Sequence, residues 1–441
     1  MKYSAGIWIL ILTEDAHKIE YIPEQKLKYL NLQDRISDLI GTVLERVKAI
    51  KAVLINYSED QFQKSIPLSL KNKTSFVARS NDCEIFYDEV TQKVRVSRDE
   101  QKFPLKVLIV DDSATMRAIL KKIIQSDSRF QVTHETGSPN EALNLIRQNE
   151  FDLITMDLHM PEMTGADLIK LYFAEKKIPT VVISSLRAEE SDLVLQSLEN
   201  GAVDYLQKPE QSHLSDVGHE IIQRLLTAAS AQVSSHHTTI KNTRHDFRSV
   251  QGLLCIGAST GGTQAIKNVL QQFGAHIPPT VIVQHIPAVF SKAFADRLNQ
   301  LFSFEVKEAE DGDLILPDRV LIAPGGKQMR VVRSGSGMKV RVEEAPPVNR
   351  HKPSVDYLFR SVVDFCDSVR VVGVILTGMG ADGAEGLFQL KQRGAYTVAQ
   401  DEKTSVVYGM PREAVERKAV KKVTSVFNMA EEIFRGFGPE R

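Results

Sequence analysis

From Leu105 onward the chain alternates short apolar runs with amphipathic segments, and this alternation constrains the fold more than any other feature. Short, mainly apolar runs at 107–110, 153–156 and 181–183 are each followed by a stretch with apolar residues every three or four positions, as in a helix. Strands that alternate with helices predict a parallel sheet covered on both faces. We therefore expect an α/β fold here.

The same alternation resumes after residue 250, with apolar runs at 253–256, 281–283 and 371–376. A β-hairpin is predicted within 329–342, because two alternating segments flank a turn rich in Ser and Gly. Residues 230–249, which separate the two alternating regions, are rich in Ser, Thr, Gln and His and lack apolar periodicity. Such a composition is typical of a linker.

With 441 residues, the chain is about three times the usual length of one domain. The first hundred residues contain a strand-like run at 7–12, a helical periodicity within 36–47 and a hairpin pattern within 84–96. They predict a small α/β unit without a chemical motif, and a docking or regulatory module is favoured over an inert extension. We predict these divisions: an N-terminal domain of unknown role at 1–103, a second domain at 104–229, the linker at 230–249 and a third domain at 250–437.

Composition excludes several classes of protein. Hydrophobic residues make up 42% and charged residues 25% of the chain, as in ordinary globular proteins. The formal net charge of −1 provides no positive field for a polyanion, so nucleic-acid binding is not expected. The apolar run at 7–12 is far shorter than the roughly 20 residues of a membrane span, and the 3 cysteines lie far apart, which fits a reducing compartment. We expect a cytoplasmic protein that does not insert into a membrane.

Acidic residues follow two strands of the second domain. Asp111 and Asp112 end the first predicted strand and Asp157 the third, while Ser184 ends the fourth and Lys208 follows the fifth. The carboxyl ends of parallel strands meet in one crevice. Three neighbouring carboxylates repel unless a cation neutralises them, and Mg²⁺ prefers oxygen ligands. The pattern predicts a magnesium site where Asp157 serves as a nucleophile toward a phosphoryl group, with Lys208 and Ser184 contacting the phosphoryl oxygens.

Residues 105 to about 225 resemble the receiver domain of response regulators, which has a flavodoxin-like doubly wound parallel sheet. The motifs that carry the resemblance are VLIVDDS (107–113), ITMDLHMPEMTG (154–165), VVISS (181–185) and DYLQKP (204–209). The resemblance implies that Asp157 is the phosphoacceptor and that Ser184 and Tyr205, with Lys208, form the switch. It also implies a set of Mg²⁺ ligands: Asp111, Asp112, Asp157 and the carbonyl group of His159.

A glycine-rich turn at 257–262, GASTGG, follows the first strand of the third domain. It fits the strand, G-x-S-x-G, helix arrangement, in which small neighbours lift a serine hydroxyl above the sheet. A dinucleotide-binding loop is a weaker alternative because the spacing is not G-x-G-x-x-G. A turn without chemistry remains about as probable as a nucleophile at Ser259 if the motif stands alone.

Two further residues favour the nucleophile. His285 follows the strand at 281–283, and Asp382 lies in the glycine-rich loop after the strand at 371–376. All three side chains are thus expected at one edge of a sheet, where an imidazole oriented by a carboxylate activates a serine. The order Ser, His, Asp disfavours the α/β-hydrolase fold. His276 and His351 lack such partners in the sequence and are expected to be structural.

Residues 251 to about 435 resemble the catalytic domain of protein-glutamate methylesterase from bacterial chemotaxis, a Rossmann-like α/β domain with a β-hairpin. The matching segments are IGASTGGTQAI (256–266), VQHIP (283–287), IAPGGKQM (322–329), KPSVDYLF (352–359), LTGMGADGAEGL (376–387) and YGMPREA (408–414). The resemblance implies a triad of Ser259, His285 and Asp382, with backbone amides near Thr260 and Met379 as oxyanion donors. Gln328 stands where the family usually has histidine, and Ala381 where asparagine is common.

Together the two resemblances imply a phosphorylation-activated serine hydrolase for chemotaxis adaptation. It would demethylate glutamate methyl esters, releasing methanol, and deamidate glutamines on methyl-accepting chemoreceptors. Its expected partners are these receptors and a chemotaxis histidine kinase that donates the phosphoryl group; Mg²⁺ is expected in the receiver and no cofactor in the catalytic domain. A catalytically impaired signalling module and a small-molecule carboxylesterase are the alternatives.

Overall fold

The computed structural model describes residues 104–438, except 186–189, 209–213, 232–244, 249, 251 and 336, together with six strands before residue 103. The chain divides into two compact units, Met1–Lys102 and Phe103–Arg441. None of the helices in this described part is long and apolar enough to cross a membrane.

The described strands of the first unit form two antiparallel sheets. The strands are β1 (Gly6–Leu12), β2 (His17–Pro23), β3 (Val53–Ile55), β4 (Val77–Ser80), β5 (Cys83–Asp88) and β6 (Lys93–Arg98). Their orders are β2-β1-β3 and β4-β5-β6. The strand β1 and the β5–β6 hairpin lie where the sequence predicts them. The helix predicted within 36–47 falls outside the described residues, so the small α/β domain stays a prediction.

The second unit begins with a parallel sheet in the order β11-β10-β9-β7-β8. Its elements are β7 (Leu105–Val110), α1 (Ala114–Gln125), β8 (Phe130–Thr136), α2 (Pro139–Gln148), β9 (Leu153–Met156), α3 (Gly165–Phe173), β10 (Thr180–Ser184), α4 (Ser191–Glu199), β11 (Asp204–Gln207) and α5 (Leu214–Ala229). Strands β9 and β10 are buried along their whole length, because helices cover both faces. The predicted α/β alternation is confirmed.

A second, seven-stranded parallel sheet has the order β14-β15-β13-β12-β18-β19-β20. Its strands are β12 (Leu253–Ala258), β13 (Thr280–Gln284), β14 (Glu305–Glu308), β15 (Arg319–Ile322), β18 (Val371–Ile375), β19 (Tyr396–Gln400) and β20 (Lys422–Thr424). The predicted hairpin pairs β16 (Gln328–Ser334) with β17 (Gly337–Glu343). The helices are α6 (Gly262–Leu270), α7 (Ala288–Leu301), α8 (Val355–Val362), α9 (Ala384–Gln392), α10 (Met410–Glu416) and α11 (Met429–Phe437).

The order of this sheet creates a crevice at its carboxyl edge. Strand β12 is flanked by β13 on one side and by β18 on the other, so the chain leaves β12 in one direction and later returns on the opposite side. Such a switch point leaves space between the loops that follow the central strands, which is where ligands bind in α/β sheets. The loops after β12, β13 and β18 carry Ser259, His285 and Asp382.

Candidate active site and receiver site

Ser259 lies half-buried in a tight turn between β12 and α6. The amide of Ser259 donates to Thr377 O at 3.0 Å, which joins this turn to the loop after β18. Gly261 has a φ of 74°, in the left-handed region that glycine adopts without strain. At Gly378 a β-carbon would come within 2.6 Å of Ser259 Cβ. The serine side chain therefore packs directly against the backbone of the opposite loop.

His285 and Asp382 form a buried pair. His285 Nε2 lies 2.9 Å from Asp382 Oδ2, and the His285 side chain is 8% exposed. The amide of His285 donates to Ala258 O at 3.0 Å, and Gln284 Nε2 donates to Ser259 O at 2.9 Å. The backbones that carry the serine and the histidine are thus neighbours.

Asp382 accepts several hydrogen bonds besides that from His285. The donors are Asn349 Nδ2 at 2.8 Å, Ser354 Oγ at 2.8 Å and the amides of Val355 at 2.7 Å and Asp356 at 3.2 Å. Burial opposes ionisation of this carboxyl, but His285, Asn349 and Ser354 together lower its pKa to about 2. Asp382 is therefore an anion at neutral pH that holds the imidazole in one orientation.

The Ser259 hydroxyl and the His285 imidazole are not hydrogen-bonded in this structure. Within the described residues, the buried His285 Nδ1 has no hydrogen-bond partner. Because Nε2 faces an anion and carries the proton, Nδ1 is the nitrogen left to accept one. The structure thus brings the three predicted residues to one sheet edge with the histidine–aspartate bond formed and the serine–histidine bond unformed, as catalytic bonds often are before substrate binds.

The amides predicted to stabilise an oxyanion lie on adjacent loops. Thr377 Oγ1 donates to Thr260 O at 3.0 Å, which ties the turn after β12 to the loop that carries Met379. In the described part of the chain, neither the Thr260 nor the Met379 amide donates a hydrogen bond. Both amides are free to donate to a developing negative charge.

Sequence reasoning missed the loop before α8. Its Asn349 and Ser354 side chains bind Asp382, and its His351 ring stacks on His285 with centroids 3.7 Å apart. The expectation that His351 lacks such partners is wrong, whereas its structural role stays a prediction. His276 contacts Asp318 at 3.1 Å, away from these three loops. The motif at 352–359 was a signal for this loop, but only the fold shows that it meets Asp382.

The receiver site contains the predicted carboxylates. Lys208 Nζ lies 2.8 Å from Asp157 Oδ2 and 3.0 Å from Asp111 Oδ2. Asp111 and Asp157 are buried and Asp112 is exposed, and one oxygen of each lies within 4.8 Å of the others. Burial and the charge of Asp111 raise the pKa of Asp157, although Lys208 opposes this shift.

Of the other predicted receiver residues, Ser184 and His159 contact the buried Glu190, and Tyr205 lies elsewhere. The Ser184 hydroxyl donates to Glu190, and His159 Nε2 lies 3.5 Å from the same carboxylate. Tyr205 is buried, and its ring meets Phe290 of α7 edge-on at 5.2 Å. The predicted switch tyrosine therefore lies at the contact between the receiver and the catalytic domain.

The receiver packs against loops of the candidate active site. Thr260 Oγ1 donates to Asp204 Oδ2 at 3.2 Å, and Asp204 is paired with Arg224 of α5 at 3.1 Å. Thr227 Oγ1 lies 2.8 Å from Met379 Sδ. Residues of β11 and α5 thus contact both loops that carry the predicted oxyanion donors.

A second contact joins α4 to helices α6 and α7. Glu199 at the end of α4 pairs with Lys267 of α6 at 2.6 Å and with Arg297 of α7. Burial opposes ionisation, but Arg297 and Lys267 lower the pKa of Glu199. At the start of the same helix, Ser191 Oγ donates to Val289 O at 3.0 Å. Both ends of helix α4 therefore contact the domain that contains α6 and α7.

Comparisons with known proteins agree with this architecture. Residues 254–433 match the family described as CheB methylesterase, and residues 107–217 match the response regulator receiver domain. Protein-glutamate methylesterase/protein-glutamine glutaminase of Photorhabdus laumondii is 44% identical over 74% of this chain and 95% of its own length. The protein of the same name from Salmonella typhi is 41% identical over 75% of this chain and 96% of its own.

The chain belongs to the protein-glutamate methylesterase/protein-glutamine glutaminase family. The catalytic domain of Thermotoga maritima CheB methylesterase, a solved structure, is 32% identical and covers 42% of this chain and 97% of that chain, with a TM-score of 0.41. Of the two departures from the family pattern, Ala381 is exposed, whereas the Gln328 side chain is fully buried and hydrogen-bonded to the loop before α8.

Proposed function

We propose that the chain is a phosphorylation-activated serine hydrolase that acts on methyl-accepting chemoreceptors. It demethylates glutamate methyl esters with release of methanol and deamidates glutamines, which gives chemotaxis adaptation. The observation that carries this proposal is the His285–Asp382 pair at 2.9 Å beside Ser259, at the switch point of the sheet in a member of the methylesterase family. The proposal includes a cytoplasmic location.

In the acylation step, Ser259 Oγ attacks the carbonyl carbon of the glutamate methyl ester. Its proton passes to His285 Nδ1, since Nε2 already donates to Asp382, and the C–O bond to the methyl group's oxygen breaks in the tetrahedral intermediate. The amides of Thr260 and Met379 stabilise the oxyanion. His285 returns the proton to the leaving oxygen, and methanol departs.

In the deacylation step, His285 takes a proton from water, and the hydroxide attacks the acyl carbon. The bond to Ser259 Oγ breaks, the serine recovers a proton, and the glutamate carboxylate is released. A glutamine side chain follows the same course, with ammonia in place of methanol. Asp382 stays ionised throughout and stabilises the imidazolium.

The receiver site suits a magnesium ion. Three carboxylates within 4.8 Å of one another leave excess negative charge, because Lys208 compensates only one of them. We propose that Asp111, Asp112, Asp157 and the His159 carbonyl hold Mg²⁺, which when bound neutralises oxygens of the incoming phosphoryl group. Asp157 accepts that group from a chemotaxis histidine kinase, Lys208 contacts a phosphoryl oxygen, and Ser184 and Tyr205 form the switch.

Regulation follows from the receiver contacts. Asp204 contacts Thr260, Thr227 contacts Met379, and Arg224 pairs with Asp204. We infer from these contacts that the receiver covers the approach to Ser259. We propose that phosphorylation of Asp157 draws Ser184 away from Glu190, changes the position of Tyr205 and weakens this cover.

The nucleophile is tested with Ser259→Ala. We expect methanol release from methylated receptor membranes to fall by about 10⁴-fold or more, as on removal of a triad nucleophile. Ser368→Ala is the control, because Ser368 precedes β18 at the opposite edge of the sheet and should leave the rate unchanged. Near-normal release by Ser259→Ala would refute the assignment.

The phosphoacceptor is tested with Asp157→Ala. A small phosphodonor with Mg²⁺ should stimulate methanol release by the native protein and leave the Asp157→Ala rate unchanged, because the variant has no carboxylate to phosphorylate. Equal stimulation of the two proteins would show that activation does not pass through Asp157.

A further inference from the structure

The imidazole of His351 covers one face of the His285 ring. The two ring centroids are 3.7 Å apart and the planes differ by 13°, which is a parallel stack at van der Waals distance. Tilting of the His285 ring toward His351 would force the rings to overlap. The stack therefore restricts the ring plane in which Nε2 donates to Asp382.

A tight turn presents His351 to His285. Val348 and His351 exchange backbone hydrogen bonds of 3.1 and 2.8 Å, and the two residues between them, Asn349 and Arg350, have φ angles of 52° and 69°. Positive φ at both central positions costs energy for residues other than glycine. The same turn directs the Asn349 side-chain amide to Asp382 at 2.8 Å. The turn therefore contacts both His285 and Asp382.

The side chain of Gln328 holds this turn in place through hydrogen bonds. Its Nε2 donates to His351 O at 3.0 Å and to Pro346 O at 3.2 Å, while its Oε1 accepts from Ser354 N at 2.9 Å. The three bonds need two donors and one acceptor, which a carboxamide supplies. A neutral imidazole has one donor and one acceptor, so a histidine at this position could not make all three.

The stack also suits the charge that His285 acquires during the reaction. Burial, and then the charge of His285, lower the pKa of His351 to about 4, with a further contribution from Arg224 and opposition from Asp382. His351 is thus neutral when His285 takes the proton from Ser259. The face of a neutral aromatic ring attracts a cation, whereas two stacked imidazolium ions would repel.

We infer that His351 is a positioning residue for His285, and that Gln328 holds it there by binding its carbonyl group. The stack fixes the plane of the His285 imidazole, so that Nε2 donates to Asp382 and Nδ1 is left to accept the proton of Ser259. This inference rests on the proposed hydrolase function, and it gives a role to the departure at Gln328.

The test compares His351→Ala with His351→Phe in the full-length protein, activated by a small phosphodonor. We expect His351→Ala to lower the kcat of methanol release by at least about 10-fold with KM within about twofold, because a positioning residue acts on turnover through His285. Phenylalanine restores a flat ring without nitrogen atoms, so His351→Phe should recover kcat to within about threefold of the native value. An alanine variant with native kcat, or a folded phenylalanine variant as slow as alanine, would overturn the inference.

A spectroscopic readout tests the same role in folded variants without relying on turnover. The proton between His285 Nε2 and Asp382 should give a low-field ¹H resonance that persists in the native protein and in His351→Phe and broadens in His351→Ala. Gln328→His, which replaces the carboxamide with the family's histidine, should broaden the same resonance partially. An unchanged resonance in His351→Ala would also overturn the inference.

The failure of this inference is distinguishable from failure of the proposed function. If methanol release by the native protein is absent, or survives in Ser259→Ala, the hydrolase proposal fails. If release requires Ser259 while His351→Ala retains native kcat and resonance, only the positioning role is wrong.

Discussion

At the residue scale, the site is organised by one buried anion. Asp382 is 1% exposed, and a buried carboxylate is tolerated only where hydrogen bonds replace its water. Side-chain donors from His285, Asn349 and Ser354 meet that need and also direct the imidazole. Its lowered pKa means that the stability it contributes is present above pH 4 and is lost only as pH falls toward 2.

His351 behaves in the opposite way, and this predicts a pH dependence of stability. Its folded pKa of about 4 lies below the value near 6.5 of an unfolded chain, so the unfolded state binds a proton first. Stability should therefore fall as pH decreases from about 6.5 to 4, a window in which Asp382 stays ionised. In His351→Phe this contribution is absent.

Thermal unfolding of the native protein and of His351→Phe at pH 7 and pH 5 checks this prediction. The melting temperature of the native protein should fall more between the two pH values than that of the variant. The charged groups that act on this ring are His285, Asp382 and Arg224, and all three are retained in the variant. Equal shifts would contradict the prediction.

At the element scale, the close approach of two loops decides where the proposed nucleophile, Ser259, lies. The turn after β12 and the loop after β18 touch at Ser259 and Gly378, where a β-carbon on Gly378 would lie 2.6 Å from Ser259 Cβ and 2.3 Å from Met410 Sδ. Only a residue without a side chain fits between these atoms. The serine is thus positioned by packing as well as by its own turn.

Gly378→Ala should consequently displace Ser259. We expect methanol release to fall by about 100-fold or more, since a shift of about 1 Å at a reacting group costs that much. Gly337→Ala in the hairpin is the matched control, because its β-carbon would have nothing nearer than Ser334 O at 3.7 Å. A Gly378→Ala enzyme with native activity would show that the contact does not position the serine.

At the scale of the whole molecule, the receiver and the catalytic domain share an interface that includes ion pairs. Glu199 of the receiver contacts Lys267 and Arg297 of the catalytic domain, and Tyr205 packs on Phe290. Contacts of this kind couple a phosphorylation site to a distant cleft if phosphorylation favours the separated arrangement.

Glu199→Gln should therefore raise methanol release in the absence of phosphodonor. Loss of about 1 kcal/mol of interface free energy shifts the closed–open equilibrium about fivefold, while the rate with phosphodonor should stay near native. Glu175→Gln is the control, because Glu175 pairs with Arg147 at 2.6 Å inside the receiver. An unchanged basal rate in Glu199→Gln would indicate that this pair does not hold the domains together.

Much of this protein could be predicted from local sequence patterns. Alternation of apolar strands and amphipathic helices determined both parallel sheets, because periodicity reports directly on which faces are buried. Placement at strand ends was enough to bring Asp111 near Asp157, and Ser259 near His285 and Asp382, because parallel strands share one carboxyl edge.

Tertiary structure alone decided what those residues contact. The stack of His351 on His285, the binding of Gln328 to the loop before α8 and the contact of Thr260 with Asp204 join segments that are 18 to 66 positions apart or lie in different domains. Such contacts depend on loop conformation and on the packing of one domain against another. Neither produces a periodic pattern of apolar residues in the sequence. The sequence therefore predicted the chemistry of each side chain, whereas the fold determined which partners orient that side chain.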